Sequence, residues 1–172
     1  MNGQDLLNEI GLKAYKKPLS EIRNLSVWPS LSNPVHLAVL LIDFDSEVTI
    51  NGLLGFLENP TGAFLNETID AFQMLEANET THVLRRIQDV MNKHAVSHER
   101  LRGTANQANE YQITSFSELH NSSLDDFAEE VGDIEQTLYM HDKSQSSPFR
   151  LLEAYLEQHA TEVLSQINDA TP

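Results

Sequence analysis

Apolar residues return at helical spacing along most of this chain, and no segment sustains apolar–polar alternation with β-branched enrichment. A side chain repeats its direction about every 3.6 residues on a helix and every second residue on a strand. The pattern therefore predicts an all-α fold, a compact multi-helix bundle without a confident strand. Pro34, suited to a first turn, opens a predicted helix to about Ser46. Thr61 is placed to cap a helix through about Glu76, with Phe64, Thr68, Ala71, Phe72 and Leu75 at helical spacing. Glu79 to His94 continues with Val83, Leu84, Ile87, Val90 and Met91 on one face. Ser122 or Ser123 caps the next helix, whose apolar positions are Leu124, Phe127, Ala128, Val131, Ile134 and Leu138. Pro148 starts a last helix, to about residue 168, with Leu151, Leu152, Tyr155, Leu156 and Leu164 inward. The stretches 24–33 and 143–147, rich in Ser, Asn and Pro, read as linkers.

With 172 residues, the chain is expected to form one domain over 1–172, large enough to bury a core without disulfides or metals. Its 40% hydrophobic content separates it from a disordered acidic tail. The absence of cysteine removes thiolate metal sites and cysteine nucleophiles, and fits a reducing compartment. The start of the chain lacks a basic segment followed by an apolar run, and the apolar stretch from Leu37 to Ile42 is too short to span a bilayer. A cytoplasmic protein is expected.

The formal net charge of −15 is the most unusual property of the composition. It opposes direct contact with nucleic acid or an anionic membrane, because like charges repel. It permits simple solubility, docking on a basic protein, or imitation of a polyanion. The charge is also unevenly placed. No Lys or Arg occurs from Asn24 to Leu84, a stretch carrying Asp43, Asp45, Glu47, Glu58, Glu67, Asp70, Glu76 and Glu79. None occurs from Gly103 to Asp142 either, where Glu110, Glu118, Asp125, Asp126, Glu129, Glu130, Asp133, Glu135 and Asp142 lie.

Catalytic and metal chemistry find little support. Asp43, Asp45 and Glu47 alternate as at the start of a calcium loop, but the sixth position is Val48 rather than Gly and the twelfth is Leu54 rather than Glu. His94 and His98 could share a helix face, yet no third metal ligand accompanies them. His36, on an apolar helix, reads as a core or boundary histidine. His141 and Asp142 could orient a base, but no nucleophile motif accompanies the pair, and the glycines form no phosphate-cradling loop. The expectation is a non-enzyme with no metal and no cofactor.

The acidic helix after Ser123 is more informative. Asp125, Glu129 and Asp133 follow at i, i+4 and project from the side opposite the apolar positions. Their spacing along the axis is about 6 Å, from a rise of roughly 1.5 Å per residue, comparable to neighbouring phosphates on a nucleic-acid strand. Like charges so placed destabilise an isolated helix by a few tenths of a kcal/mol per pair, and no lysine is set between them. A solvated face kept soluble by charge is the plainer alternative.

The run from Asp45 to Gly62, with Glu47, Asn51, Gly52, Phe56, Asn59 and Gly62 in it, resembles the core signature of a bacterial DNA-mimic domain family, long catalogued as a domain of unknown function. That family shows an acidic D-x-E-V, then Asn-Gly-Gly, an aromatic-rich turn and Asn-x-x-Gly. Here Leu53 replaces the second glycine, and Phe56-Leu57 stands for the paired aromatics. The resemblance is best over residues 35–84 and looser to about 142. It implies a compact helical domain. In its characterised member, acidic side chains imitate DNA phosphates on the DNA-binding surface of a transcriptional regulator. Read from their chemistry alone, the signature residues are structural: Glu47 and Asn51 cap or cross-link helix ends, Gly52 and Gly62 fit tight backbone positions, and Phe56 packs inward.

The functional expectation is an acidic module that occupies the basic surface of a DNA-binding protein, as a monomer or homodimer. Its partner-binding residues would be Asp125, Glu129, Glu130 and Asp133, then Asp43, Asp45, Glu67 and Asp70. An immunity-type inhibitor of a basic toxin or nuclease is the alternative, favoured if Trp28, Tyr111 or Tyr139 is exposed beside the acidic patch. An enzyme is a third, which a deep pocket with buried carboxylates would favour.

Overall fold

Asn33 and Pro34 begin the helix around which the rest is assembled. The Asn33 side chain accepts from the backbone N–H groups of Val35 and His36 at 2.9 and 3.2 Å, and Pro34 occupies the first turn. The computed structural model describes residues 1–105, 115–120, 122–140 and 146–169, and every regular element among them is helical. In chain order these are α1 (Gly3–Lys13), α2 (Pro34–Glu58), α3 (Leu65–Met74), α4 (Asn78–Lys93), α5 (His98–Ala105), α6 (Phe116–His120), α7 (Asp125–Glu135), α8 (Pro148–Gln158) and α9 (Ala160–Asp169).

Helix α2 is apolar on all sides along its first half. Val35, Leu37, Ala38, Val39, Leu41 and Phe44 are each at most 1% exposed. A helix apolar all round must be surrounded, and α1, α3, α5, α7, α8 and α9 all pack against it. Phe44 stands edge-on to Phe56 and Phe72, with ring centroids 4.9 and 5.5 Å apart, which fixes α3 against both halves of α2. Lys13 donates to the Ile167 carbonyl at 2.7 Å and joins α1 to α9.

Several boundaries differ from the sequence reading. α2 does not stop at Ser46 but runs to Glu58, broken once at Gly52 (φ 71°, ψ 177°). Burial of Leu53, Phe56 and Leu57 draws the chain back into helix after the break. Thr61 caps nothing: it lies in a 3-10 turn, Pro60–Phe64, and α3 begins without a side-chain cap. Ser122 and Ser123 likewise sit in a 3-10 turn ahead of α7, which has no side-chain cap. The single last helix is two, α8 and α9. The stretch 24–33 is not merely a connector, because Trp28 is 5% exposed and packs edge-on against Phe64 at 5.0 Å.

The two signature glycines have distinct reasons. Gly52 adopts a conformation open essentially to glycine alone. A Cβ on Gly62 would lie 2.5 Å from the Phe56 carbonyl oxygen, so the backbone passes too closely for a side chain.

His36 supplies a pH-dependent contribution to stability. Its Nδ1 is buried without a hydrogen-bond partner among the described residues, and burial holds its pKa below the usual histidine value. A depressed folded pKa means the unfolded chain takes up the proton first. The contribution is therefore present above about pH 6.5, the ordinary histidine value, and is lost as pH falls through the folded pKa. Urea midpoints at pH 7.5 and pH 5 should drop less for His36→Leu than for the unmodified protein. An identical drop in both would show that His36 carries none of the dependence.

Candidate functional site: the carboxylate stripe of α7

Asp125 and Asp126 fill the first turn of α7, where carboxylates complement the partial positive charge of a helix N-terminus. Phe127, Val131 and Ile134 turn inward and seat α7 on α2 and α4. This orientation leaves Asp125, Glu129 and Asp133 exposed on the other side, together with Asp126, which lies off the i, i+4 stripe and was not singled out in the sequence. None of the four makes a hydrogen bond or ion pair among the described residues.

Glu130 is different. One of its oxygens accepts from Lys93 and lies 3.0 Å from His94 Nε2. The Lys93 hydrogen bond, then that of His94, holds this carboxyl below the usual range. Glu130 thus fastens α7 to the end of α4, and its charge is answered within the molecule.

The earlier acidic residues scatter. Asp43 is 4% exposed, and Oδ1 accepts from Arg23 Nη2 at 2.6 Å. A carboxylate enclosed in this way cannot present itself to a partner as a phosphate would, so the sequence-based assignment of Asp43 to a docking surface is corrected. The cause is the all-round burial of α2 at that point. Asp45 is half-buried and lines a groove with Leu7, Ile42 and Phe149. Glu67, in the first turn of α3, is half-buried, while Asp70 one turn later is exposed.

Cations stand at the seams between the acidic helices. α4 packs against both α3 and α7. At one seam Arg85 donates to Gln73 of α3, and at the other Lys93 pairs with Glu130 of α7.

The signature residues gather around the break in α2. Glu47 Oε2 accepts from Asn51 Nδ2 at 3.0 Å and also from Asn59 Nδ2, binding the helix before Gly52 to the turn after it. The Glu135 carboxylate of α7 rests against Gly52, so that a Cβ there would meet it at 3.0 Å. Glu135 had no special standing in the sequence, since only the fold brings it beside a residue so distant along the chain. The same holds for the buried His120, whose Nε2 meets the Glu58 carboxylate and ties α6 to the end of α2.

The two histidines considered as a metal pair part company. His94 faces Glu130, and His98 Nδ1 lies 3.0 Å from the Leu57 carbonyl oxygen. Among the described residues no three His, Cys, Asp or Glu side chains converge as a metal site would require, and no helix is long and apolar enough to cross a membrane. Tyr139 is 67% exposed and lines a cleft with Glu76 and Glu79. Tyr111, Glu110, His141 and Asp142 lie outside the described residues.

The described residues form an all-helical scaffold that exposes an unpaired carboxylate stripe on α7. The chain belongs to the DMP19-like protein family, a DNA-mimic family, whose model matches residues 29–159. Neither a curated protein nor a solved structure matches the chain.

Proposed function

We propose that this protein works in the cytoplasm by binding rather than by catalysis, laying the α7 carboxylates on the basic surface of a DNA-binding protein such as a transcriptional regulator. One observation carries the reading: Asp125, Glu129 and Asp133 are exposed on one side of a helix, spaced like phosphates, with no cation of the described structure answering them. Family membership supports it. The mechanism is electrostatic. Carboxylates replace phosphates and release the anions held by the partner, so binding weakens with salt as charges become screened beyond about 8–10 Å. Asp126 joins this surface, and Asp70 is a second, separate contributor from α3.

Exposure of Tyr139 beside Glu76 and Glu79 favours a second reading, an immunity-type inhibitor of a basic toxin or nuclease, in which an aromatic anchor adds shape-specific contact. Capture from native lysate at graded salt separates the two. The first reading expects one DNA-binding protein, displaced by duplex DNA and by moderate salt. A single partner that resists both supports the second. Recovery of nothing specific would sink both and leave the acidity as a solubility device.

A further inference from the structure

A cleft of about 200 Å³ opens where the end of α3, the start of α4, the residues after α7 and the start of α8 meet. Glu76, Glu79 and Tyr139 stand exposed on it, and none of these three side chains makes a hydrogen bond or ion pair among the described residues. No Lys, Arg or His lines it. Thr80, in the first turn of α4, and Ser147, just before α8, line it too. They are only 4% and 3% exposed, and neither hydroxyl has a hydrogen bond within the described structure. The unpartnered polar atoms sealed from water there belong to Trp28, His36, Asp43 and Thr61, so the Thr80 and Ser147 hydroxyls are within reach of solvent. With both residues otherwise enclosed, that reach runs through the cleft they line.

Glu76 holds φ at 60°, a left-handed conformation that a helix end ordinarily gives to glycine. The Glu76 N–H bonds to the Gln73 carbonyl and the Ala77 N–H to the Phe72 carbonyl, closing α3 in that geometry. A carboxylate thus stands on the cleft where glycine would be less strained.

The chemistry of the lining selects the ligand. Two carboxylates with no neighbouring cation oppose an anion. A divalent metal finds no third acidic or imidazole side chain converging with them among the described residues. A guanidinium suits every group: it is planar, stacks on aromatic rings and carries a fork of five N–H donors, whereas an ammonium is a point charge with three. Leu138 and Pro148 supply apolar wall for the methylenes behind it. The first turn of α4 has no side-chain cap, which leaves its N–H groups for a peptide carbonyl beside the arginine. That favours an arginine carried on a polypeptide.

We propose that this cleft receives an arginine side chain of a docked protein, its guanidinium stacked on Tyr139 and donating to Glu76, Glu79 and the hydroxyls of Thr80 and Ser147. The inference deepens the immunity-type reading and rests on it for the nature of the partner. It is independent of the α7 stripe.

Titration of the full-length protein with Nα-acetyl-L-arginine amide, followed by backbone amide chemical shifts, tests it. Saturable shifts are expected at residues 76, 79, 80, 139 and 147, and not with sodium chloride. Lysine blocked in the same way should bind severalfold more weakly, and so should free arginine, whose α-carboxylate would meet Glu76 and Glu79. Thr80→Val and Ser147→Ala should each weaken binding severalfold without lowering the thermal midpoint, because their hydroxyls have no partner to lose. Glu76→Gly should raise the midpoint and weaken binding together. Ala95→Gly, at the other left-handed side chain among the described residues, should raise the midpoint and leave binding unchanged. Absence of saturable shifts at the cleft, equal binding of blocked lysine, or tighter binding of free arginine overturns the proposal. The titration uses no partner, so it succeeds or fails apart from the lysate capture. Binding of the blocked arginine with nothing captured would overturn the immunity-type reading and leave the cleft an arginine site.

Discussion

Replacing Asp125, Glu129 and Asp133 together by lysine should cost the protein its basic partner while leaving the fold in place. Close charge pairs across an interface couple by about 1.5 kcal/mol or more. Three of them lost amount to roughly 4–5 kcal/mol, or at least about a thousandfold in Kd, before the repulsion added by reversal. The folded protein should barely register the change. The three side chains touch no partner among the described residues, and only Asp125 sits where a helix N-terminus favours an acid, worth about 0.3–1 kcal/mol. Measured at several salt concentrations, the residual binding should also lose most of its salt dependence. Glu130→Gln is the informative contrast. Its charge is held by Lys93 and His94, so the substitution should loosen the α4–α7 seam and leave partner affinity within a few fold. Unchanged affinity in the triple variant would remove α7 as the binding surface.

At Gly52 a side chain is expected to cost stability through backbone conformation rather than through a backbone clash. With φ at 71° and ψ at 177°, a side chain there costs about 1–3 kcal/mol in backbone strain. The new Cβ would also stand 3.0 Å from the Glu135 carboxylate, which must give way. Gly52→Ala should therefore lose about 3 kcal/mol, lowering Tm by roughly 6–12 °C for a chain of this size. Gly132→Ala is the matched control, since its Cβ meets nothing within 4 Å and its place inside α7 favours alanine. It should gain about 0.5–1 kcal/mol. Calorimetric melting of the two variants beside the parent decides the matter, and equal midpoints would dissolve the argument for a glycine-only break.

The helices were legible where one face is apolar and the other wet. α4 and α7 follow that rule, and their inward residues were read correctly. α2 was harder. Val48, Thr49 and Ile50 are β-branched and Asn51-Gly52 reads as a turn, so local preference ended the helix early. Tertiary burial of Leu53, Phe56 and Leu57 overrides that preference. Asp43 was misplaced for a related reason: composition counts a carboxylate as surface, whereas Leu40, Leu41 and Phe44 around it already marked a helix with no wet side. Arg23, its partner, lies twenty residues earlier, where no periodicity links the two. A cavity beside them depends on four separate segments meeting, the end of α1, the 19–24 turn, α2 and the 60–64 turn, and could not be read from any one of them.

The carboxylate stripe of α7 has a consequence for how much change the helix can absorb. Because its side chains take no part in the packing that seats the helix, the outward charge pattern and the inward apolar pattern lie on different residues and can vary independently. Substitutions at 125, 126, 129 and 133 leave Phe127, Val131 and Ile134 undisturbed. The charge of this face can therefore be rewritten without disturbing the seating of α7 on α2 and α4.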